Sequence, residues 1–191
     1  MTQTSPRLAP RTIADDPLLA DILPKTIASP GGQPLNVFGT MAHHPDLLRR
    51  WLVFATHVLS KSTLPARDRE ILILRTGWNC RSRYEFSQHV VIALRCGITA
   101  EQIEMIKVGP DAGWDDADRL LVVAADELHS VSTINDATWA ALVARYSTEQ
   151  VLDLIAAVGN YHFVAMLLNA AGVQLDPGVP DAFAGTVTES S

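Results

Sequence analysis

The sequence is short of the features that usually announce a function. It has two cysteines, Cys80 and Cys96, in 191 residues. They are too far apart for a CxxC dithiol or a zinc knuckle, and two thiols build no disulfide framework. It has no basic cluster and no run in which aromatics alternate with Lys or Arg. With a formal net charge of −6, that argues against a nucleic-acid partner held through phosphates. Apolar runs such as LIAAV and FVAMLL are far too short to span a bilayer. The opening stretch MTQTSPRLAPRTIADDP lacks the apolar centre of a signal peptide. A cytoplasmic protein with no membrane partner is the expectation.

What is present is an ordinary globular composition, 48% hydrophobic and 19% charged, long enough for one well-buried core. Residues 1–36 are rich in Pro and Gly and lack steady periodicity, so they read as an N-terminal arm. Residues 37–175 read as a helical domain and 176–191 as a loose C-terminal tail. Pro45 opens one helix, with Leu47, Leu48, Trp51, Leu52 and Ala55 on its apolar face. Further helical patterns follow: one with Pro65 in its first turn, one ending at Gly97, and one capped by Thr99 and stopped by Gly109. DDADRLLVVAADELHS, INDATWAALVARY and a long segment begun by the capping-box pair Ser147 and Gln150 complete the set. LRTGW and RLLVVAAD have strand-like composition, but no hairpin turn flanks either. The expectation is an all-α chain of about seven helices.

The stretch RSRYEFSQH, residues 81–89, places Ser82, Glu85 and His89 at i, i+3 and i+7, on roughly one face of a helix. Glu70 lies nineteen residues before His89, one helix upstream, where a short connection can bring it opposite that face. An imidazole beside carboxylates suits proton transfer, because the carboxylate orients the ring and stabilises its protonated form. Structural networks cluster the same groups, so spacing alone leaves both roles open.

The segment LPARDREILILRTGWNCRSRYEFSQHVVIALRCGITAEQI resembles the carboxymuconolactone decarboxylase family of the alkylhydroperoxidase D-like superfamily. Three parts carry the resemblance: Leu64, Pro65, Arg67, Arg69 and Glu70; Tyr84, Glu85, Phe86 and His89; Gly97, Ile98, Thr99 and Ile103. Together with NVFGTMAHHP and VGNYHFVAMLLNAAGV it covers about residues 35–175. It implies an alkylhydroperoxidase D-like helical subunit assembled as trimers, often paired into hexamers, with sites near subunit contacts. The peroxidase branch carries E-x11-C-x2-C-x3-H. Here Glu70 and His89 match the proton relay, while Ser82 and Glu85 stand at the two cysteine positions. A hydroxyl and a carboxylate cannot cycle through a disulfide. Cys80 lies two residues before the first cysteine position, a helical offset of about 200° that turns it elsewhere.

The expected function is therefore a cofactor-independent lyase or isomerase acting on a small, carboxylate-bearing lactone or carbonyl compound. His89, Glu70 and Glu85 are the candidate catalytic residues. Ser82, Arg67, Arg69, Tyr84 and His162 are the candidate substrate-binding residues. Arg67 and Arg69 can grip a carboxylate in bidentate fashion, although anchoring the fold through acidic partners is the slightly favoured role. Tyr84 is of a type more often found in cores, and His162 sits in a largely apolar helix. Glu85 and His89 at i, i+4 have metal-ligand spacing but no marked third ligand, and the resembled family needs no metal. The rival functions are a thiol peroxidase using Cys80 or Cys96, and a non-catalytic small-molecule-binding oligomer.

A positive mean hydropathy of +0.13 and two terminal arms point to a homo-oligomer with an apolar interface. Sedimentation at micromolar concentration should give a mass well above the 20.8 kDa of one chain; a monomer would remove that expectation.

Overall fold

The computed structural model describes residues 5–29, 31–185 and 187. Residues 1–4, 30, 186 and 188–191, all within the two terminal segments, lie outside the described residues. The described chain holds eight α-helices: α1 Asn36–Met41, α2 Pro45–Thr56, α3 Ala66–Asn79, α4 Arg83–Arg95, α5 Ala100–Val108, α6 Asp116–Val131, α7 Asp136–Arg145 and α8 Thr148–Ala171. No strand occurs among the described residues beyond an isolated bridge between Ala28 and Pro34. LRTGW and RLLVVAAD are both helical. Seven of the helices are those the patterns predict. The eighth, α1, is a six-residue turn too short to show a period.

Local chemistry sets most of the boundaries. Pro45 occupies the first turn of α2, where its missing N–H costs nothing, and the His44 ring accepts from the Leu47 amide. Thr99 with Gln102, and Ser147 with Gln150, form reciprocal capping boxes at α5 and α8. Asp115 and Asn135 cap α6 and α7. Gly97 and Gly172 follow α4 and α8 with positive φ, the usual stop. After Thr56, α2 loosens into a π-type turn, His57–Lys61. Asp153 of α8 holds that end, accepting from the Thr63 amide at 2.6 Å and pairing with His57 at 2.7 Å.

Helix α3 is the axis of the structure, packed against α4, α5, α6 and α8. Every residue from Asp68 to Gly77 is buried. A helix surrounded on all sides is usually apolar all round, yet this one carries Asp68, Arg69, Glu70, Arg75 and Thr76. Partners reach it from several helices. Tyr146 donates its hydroxyl to Asp68 at 2.7 Å. Arg75 donates to Asp126 at 2.5 and 2.9 Å and to the Ile106 carbonyl at 2.6 Å. That last contact brings the guanidinium so near the α5 terminus that a Cβ on Gly109 would lie 2.9 Å from Arg75 Nη2. Gly109 also has φ +115°, so glycine is required on both counts.

Two apolar clusters flank α3. One gathers residues of α3, α4, α5, α6 and α8 around Phe86, Leu121 and Leu154. The other gathers α1, α2, Ile73, Tyr84 and α8, and it takes in Leu19, Ile22 and Leu23 from the N-terminal segment. On the tail side Ala182 is buried, and Phe183 packs on Trp78 with ring centroids 4.5 Å apart. Among the described helices α8 alone is long and apolar enough to cross a membrane by length and composition. Many of its apolar residues are core residues: Val151, Leu154, Ala157, Val158, Val164 and Leu168 are buried against the other helices, while Leu152 and Met166 are exposed.

Arg75→Ala should leave Asp126 and the Ile106 carbonyl without their guanidinium. A cost of about 3 kcal/mol or more is expected in chemical denaturation. A loss near zero would show that the clamp between α3, α5 and α6 is dispensable.

Candidate active site

The connection from Cys80 to Ser82 is tight enough to fold α4 back along α3. Arg81 takes φ 53°, and the Ser82 amide donates to the Gly77 carbonyl at 2.8 Å. This return brings Glu70 opposite His89. Glu70 is fully buried, and its Oε2 accepts from His89 Nδ1–H at 2.7 Å. A carboxylate acceptor at Nδ1 places the proton there. Nε2 has no hydrogen-bond partner among the described residues. The ring stands edge-on to Tyr161 of α8, centroids 4.7 Å apart and planes at 86°, so it is gripped on two sides.

His89 and Glu85 line a cavity of about 760 Å³ bounded by α1, α2, α4, α8 and parts of both terminal segments. Phe38, Trp51, Leu52, Val91, Ile92, Val164 and Leu168 make its walls largely apolar. The apolar face predicted for α2 therefore serves the cavity as much as the core: Leu48 is buried, Trp51, Leu52 and Ala55 line the wall, and Leu47 is exposed. Val91 and Ile92 likewise face the cavity rather than the core side of α4.

The two carboxyl groups differ sharply. Glu70 has the imidazole as its partner. Both Glu85 oxygens are buried without a hydrogen-bond partner among the described residues. Burial pushes the Glu85 carboxyl well above the usual carboxylate range, so it is held as a neutral acid. Gly77 makes room for it, since a Cβ there would lie 3.1 Å from Glu85 Oε1. Burial, followed by the nearness of Glu70 and Glu85, likewise raises Tyr161. Its phenol stays protonated and makes no hydrogen bond to the described residues.

The other predicted residues are placed as follows. Arg67 does not reach the cavity; its Nη1 and Nη2 each donate to Asp118 at 2.6 Å, tying α3 to α6. Arg69 is buried beside Glu70, 3.4 Å from its Oε1, and does not line the cavity. Ser82 is sealed at the α3–α4 junction, its hydroxyl buried and away from the wall. Tyr84 touches the cavity, but its hydroxyl is committed: it donates to Asp176 and accepts from the Val37 amide. His162 points away, toward His129, with 2.8 Å between ring nitrogens. One residue along α8, Tyr161 takes the position on the cavity that was expected of His162, because consecutive helical residues are turned by about 100°.

Sequence reasoning missed Tyr161, Asn160, Arg95 and Lys25. Asn160 is buried and accepts from Trp51 Nε1 at 2.9 Å. Arg95 and Lys25 line the cavity and have no ion-pair partner among the described residues. Arg95 was within reach of pattern reasoning, because it follows Gln88 and Val91 around one face of α4. Lys25 was not, since its segment has no period.

The sequence model of the Carboxymuconolactone decarboxylase family matches residues 45–126, which contain Glu70, Glu85 and His89. No curated protein matches the chain by sequence. Among solved structures, the chain is similar to the alkylhydroperoxidase AhpD core of a peroxidase-related protein from Ralstonia eutropha JMP134. Identity is 20% and the TM-score 0.77, with 92% of this chain and 94% of that one covered. It is also similar to a debrominase, Bmp8, in complex with 2,3,4-tribromopyrrole: 16% identity, TM-score 0.73, 91% and 94% covered. A peroxidase-related protein from Silicibacter sp. TM1040 follows at 14% identity and TM-score 0.71, with 93% of each chain covered. At these identities the likeness is one of fold.

The raised Glu85 carboxyl carries a signature in stability. The folded chain holds a proton that the unfolded chain releases above about pH 4.3. The contribution is therefore fully present below that pH and is lost as pH rises, by about 1.4 kcal/mol per pH unit, until the folded group ionises. Glu85→Gln removes that titration. Its stability relative to the parent should grow as pH rises above the ordinary carboxylate range; parallel curves would show that Glu85 ionises normally.

Proposed function

We propose an acid–base function for this chain, which belongs through residues 45–126 to the carboxymuconolactone decarboxylase family: a lyase or isomerase acting on a small, mainly apolar organic acid with a lactone or carbonyl group. The observation that carries the reading is the 2.7 Å Glu70–His89 contact at the wall of an apolar cavity. His89 is the proton carrier at Nε2. Glu70 is a positioning residue that fixes the ring and balances its charge when it is protonated. Glu85, neutral and one helical turn earlier on the cavity face, is a second proton source.

In a decarboxylation the bond to the leaving carboxylate breaks and its electron pair enters an enolate as carbon dioxide departs. His89, having taken up a proton at Nε2 from solvent while Nδ1–H stays on Glu70, then gives that Nε2 proton to the carbon. Tyr161, a neutral phenol beside His89, is the hydrogen-bond donor suited to the enolate oxygen, a role the buried Ser82 cannot fill. Arg95 and Lys25 supply the cationic rim for a retained carboxylate, in place of Arg67 and Arg69. A cavity of about 760 Å³ has room for a ring the size of the tribromopyrrole held by the debrominase.

Peroxidase chemistry of the kind named for the structural neighbours has less support. The motif positions for a thiol pair hold Ser82 and Glu85, and Cys80 is pushed up to about 11 by burial and by Glu85. At neutral pH it is a thiol, the less reactive form.

His89→Gln should keep the fold and lower kcat on lactone or β-keto acid substrates by roughly 10²–10⁴-fold, with Glu70→Gln costing less. Both thiols should remain titratable after excess peroxide. Parent-like turnover by His89→Gln, or thiol loss coupled to peroxide consumption, would overturn the reading.

A further inference from the structure

Cys80, His129 and His162 belong to three different elements: the residue that closes α3, the last turn of α6 and the middle of α8. None of them lines the cavity. Their ligand atoms nonetheless converge. Cys80 Sγ lies 3.7 Å from His129 Nδ1, and His129 Nδ1 lies 2.8 Å from His162 Nε2. All three atoms fall within 4.8 Å of one another.

We propose that these three side chains form a binding site for a divalent transition-metal ion of zinc type, separate from the Glu70–His89 site. A thiolate and two imidazoles are borderline-soft donors suited to zinc, cobalt or nickel, whereas magnesium and calcium require oxygen ligands. Zinc bond lengths to sulfur and nitrogen put neighbouring ligand atoms of a tetrahedral site about 3.3–3.6 Å apart. The Cys80–His129 separation is already close to that range, and the two rings need open by only about half an ångström.

The groups that hold the three side chains support the assignment. His162 Nδ1 lies 2.9 Å from the Val158 carbonyl. A carbonyl only accepts, so Nδ1 carries the proton and Nε2 turns its lone pair into the cluster. Metal-bound imidazoles are oriented in this way. Burial, then His162, holds His129 toward its neutral form, the form that ligates. Asn169 of α8 donates to the Cys80 carbonyl at 2.9 Å and fixes the backbone that bears the thiol. His129 is exposed, which gives an ion a path in. Three protein ligands leave a fourth position for water or an added ligand.

Binding is balanced as an exchange. The Cys80 sulfur–hydrogen bond breaks and a sulfur–metal bond forms, with one proton released. The His129 proton moves from Nδ1 to Nε2, so that Nδ1 can ligate. No oxidant or reductant is involved.

The full chain, freed of metal with a chelator, should take up one zinc or one cobalt ion per chain. The cobalt form should show a thiolate-to-metal charge-transfer band. Cys80→Ser should abolish that band. His129→Gln and His162→Gln should each weaken zinc binding by about tenfold or more, while circular dichroism confirms that the fold persists. His89→Gln should bind zinc like the parent, which separates this site from the acid–base pair. No uptake at micromolar metal, a band that survives Cys80→Ser, or uptake lost in His89→Gln would overturn the proposal.

Discussion

Burying two carboxylates and two guanidinium groups inside one helix costs far more than apolar contact returns unless they meet partners at bonding distance. Helix α3 imposes that condition on everything around it. Asp68 needs Tyr146, Glu70 needs His89, and Arg75 needs Asp126 and the end of α5. Each requirement fixes the position of a neighbouring helix more narrowly than interchangeable apolar contacts would, because hydrogen bonds weaken steeply with angle and distance. The acid–base pair is one of these structural obligations, and it happens to be the one that also faces a cavity.

The site separates two carboxyl groups by environment rather than by chemistry. Glu70 has lost all contact with solvent but has an imidazole to answer it. Glu85 has neither solvent nor partner, and burial leaves the proton as its only means of avoiding an uncompensated charge. The two environments therefore place a carboxyl paired with an imidazole and a neutral acid within two helices. Tyr161 completes the arrangement from α8.

Much of this was legible in the sequence, and what was not has a common cause. Helix limits follow local rules, and Pro45, Thr99, Ser147 and Gly97 marked theirs correctly. The Glu70–His89 pair could be read because its two helices are consecutive and joined by a short turn. The partner of Arg67 could not, since Asp118 lies far along the chain and nothing near Arg67 points to it. His162 and Tyr161 are neighbours in sequence but face different sides of α8, and composition alone does not give a helix its rotation. The same blindness hid the meeting of Cys80 with His129 and His162. Residues from three separated elements share no spacing rule.

The walls of the cavity and the groups at its floor have different origins in the chain. Glu70, Glu85 and His89 lie within residues 45–126, the span that carries the family pattern. Much of the enclosure lies outside it: Lys25 to Ser29, Val37 and Phe38 before it, and Asn160 to Val179 after it. Asp176 pins the later segment down by accepting from Tyr84, Gln88 and the Asn36 amide. The part of the enclosure supplied by the two ends of the chain is thus encoded apart from the Glu70–His89 pair, while α2 and α4 contribute walls from within the family span. Insertions, losses or recombination near either end can reshape that part of the enclosure while the Glu70–His89 pair is inherited intact, so under the acid–base function proposed above one scaffold could pass between substrates without re-evolving its proton chemistry.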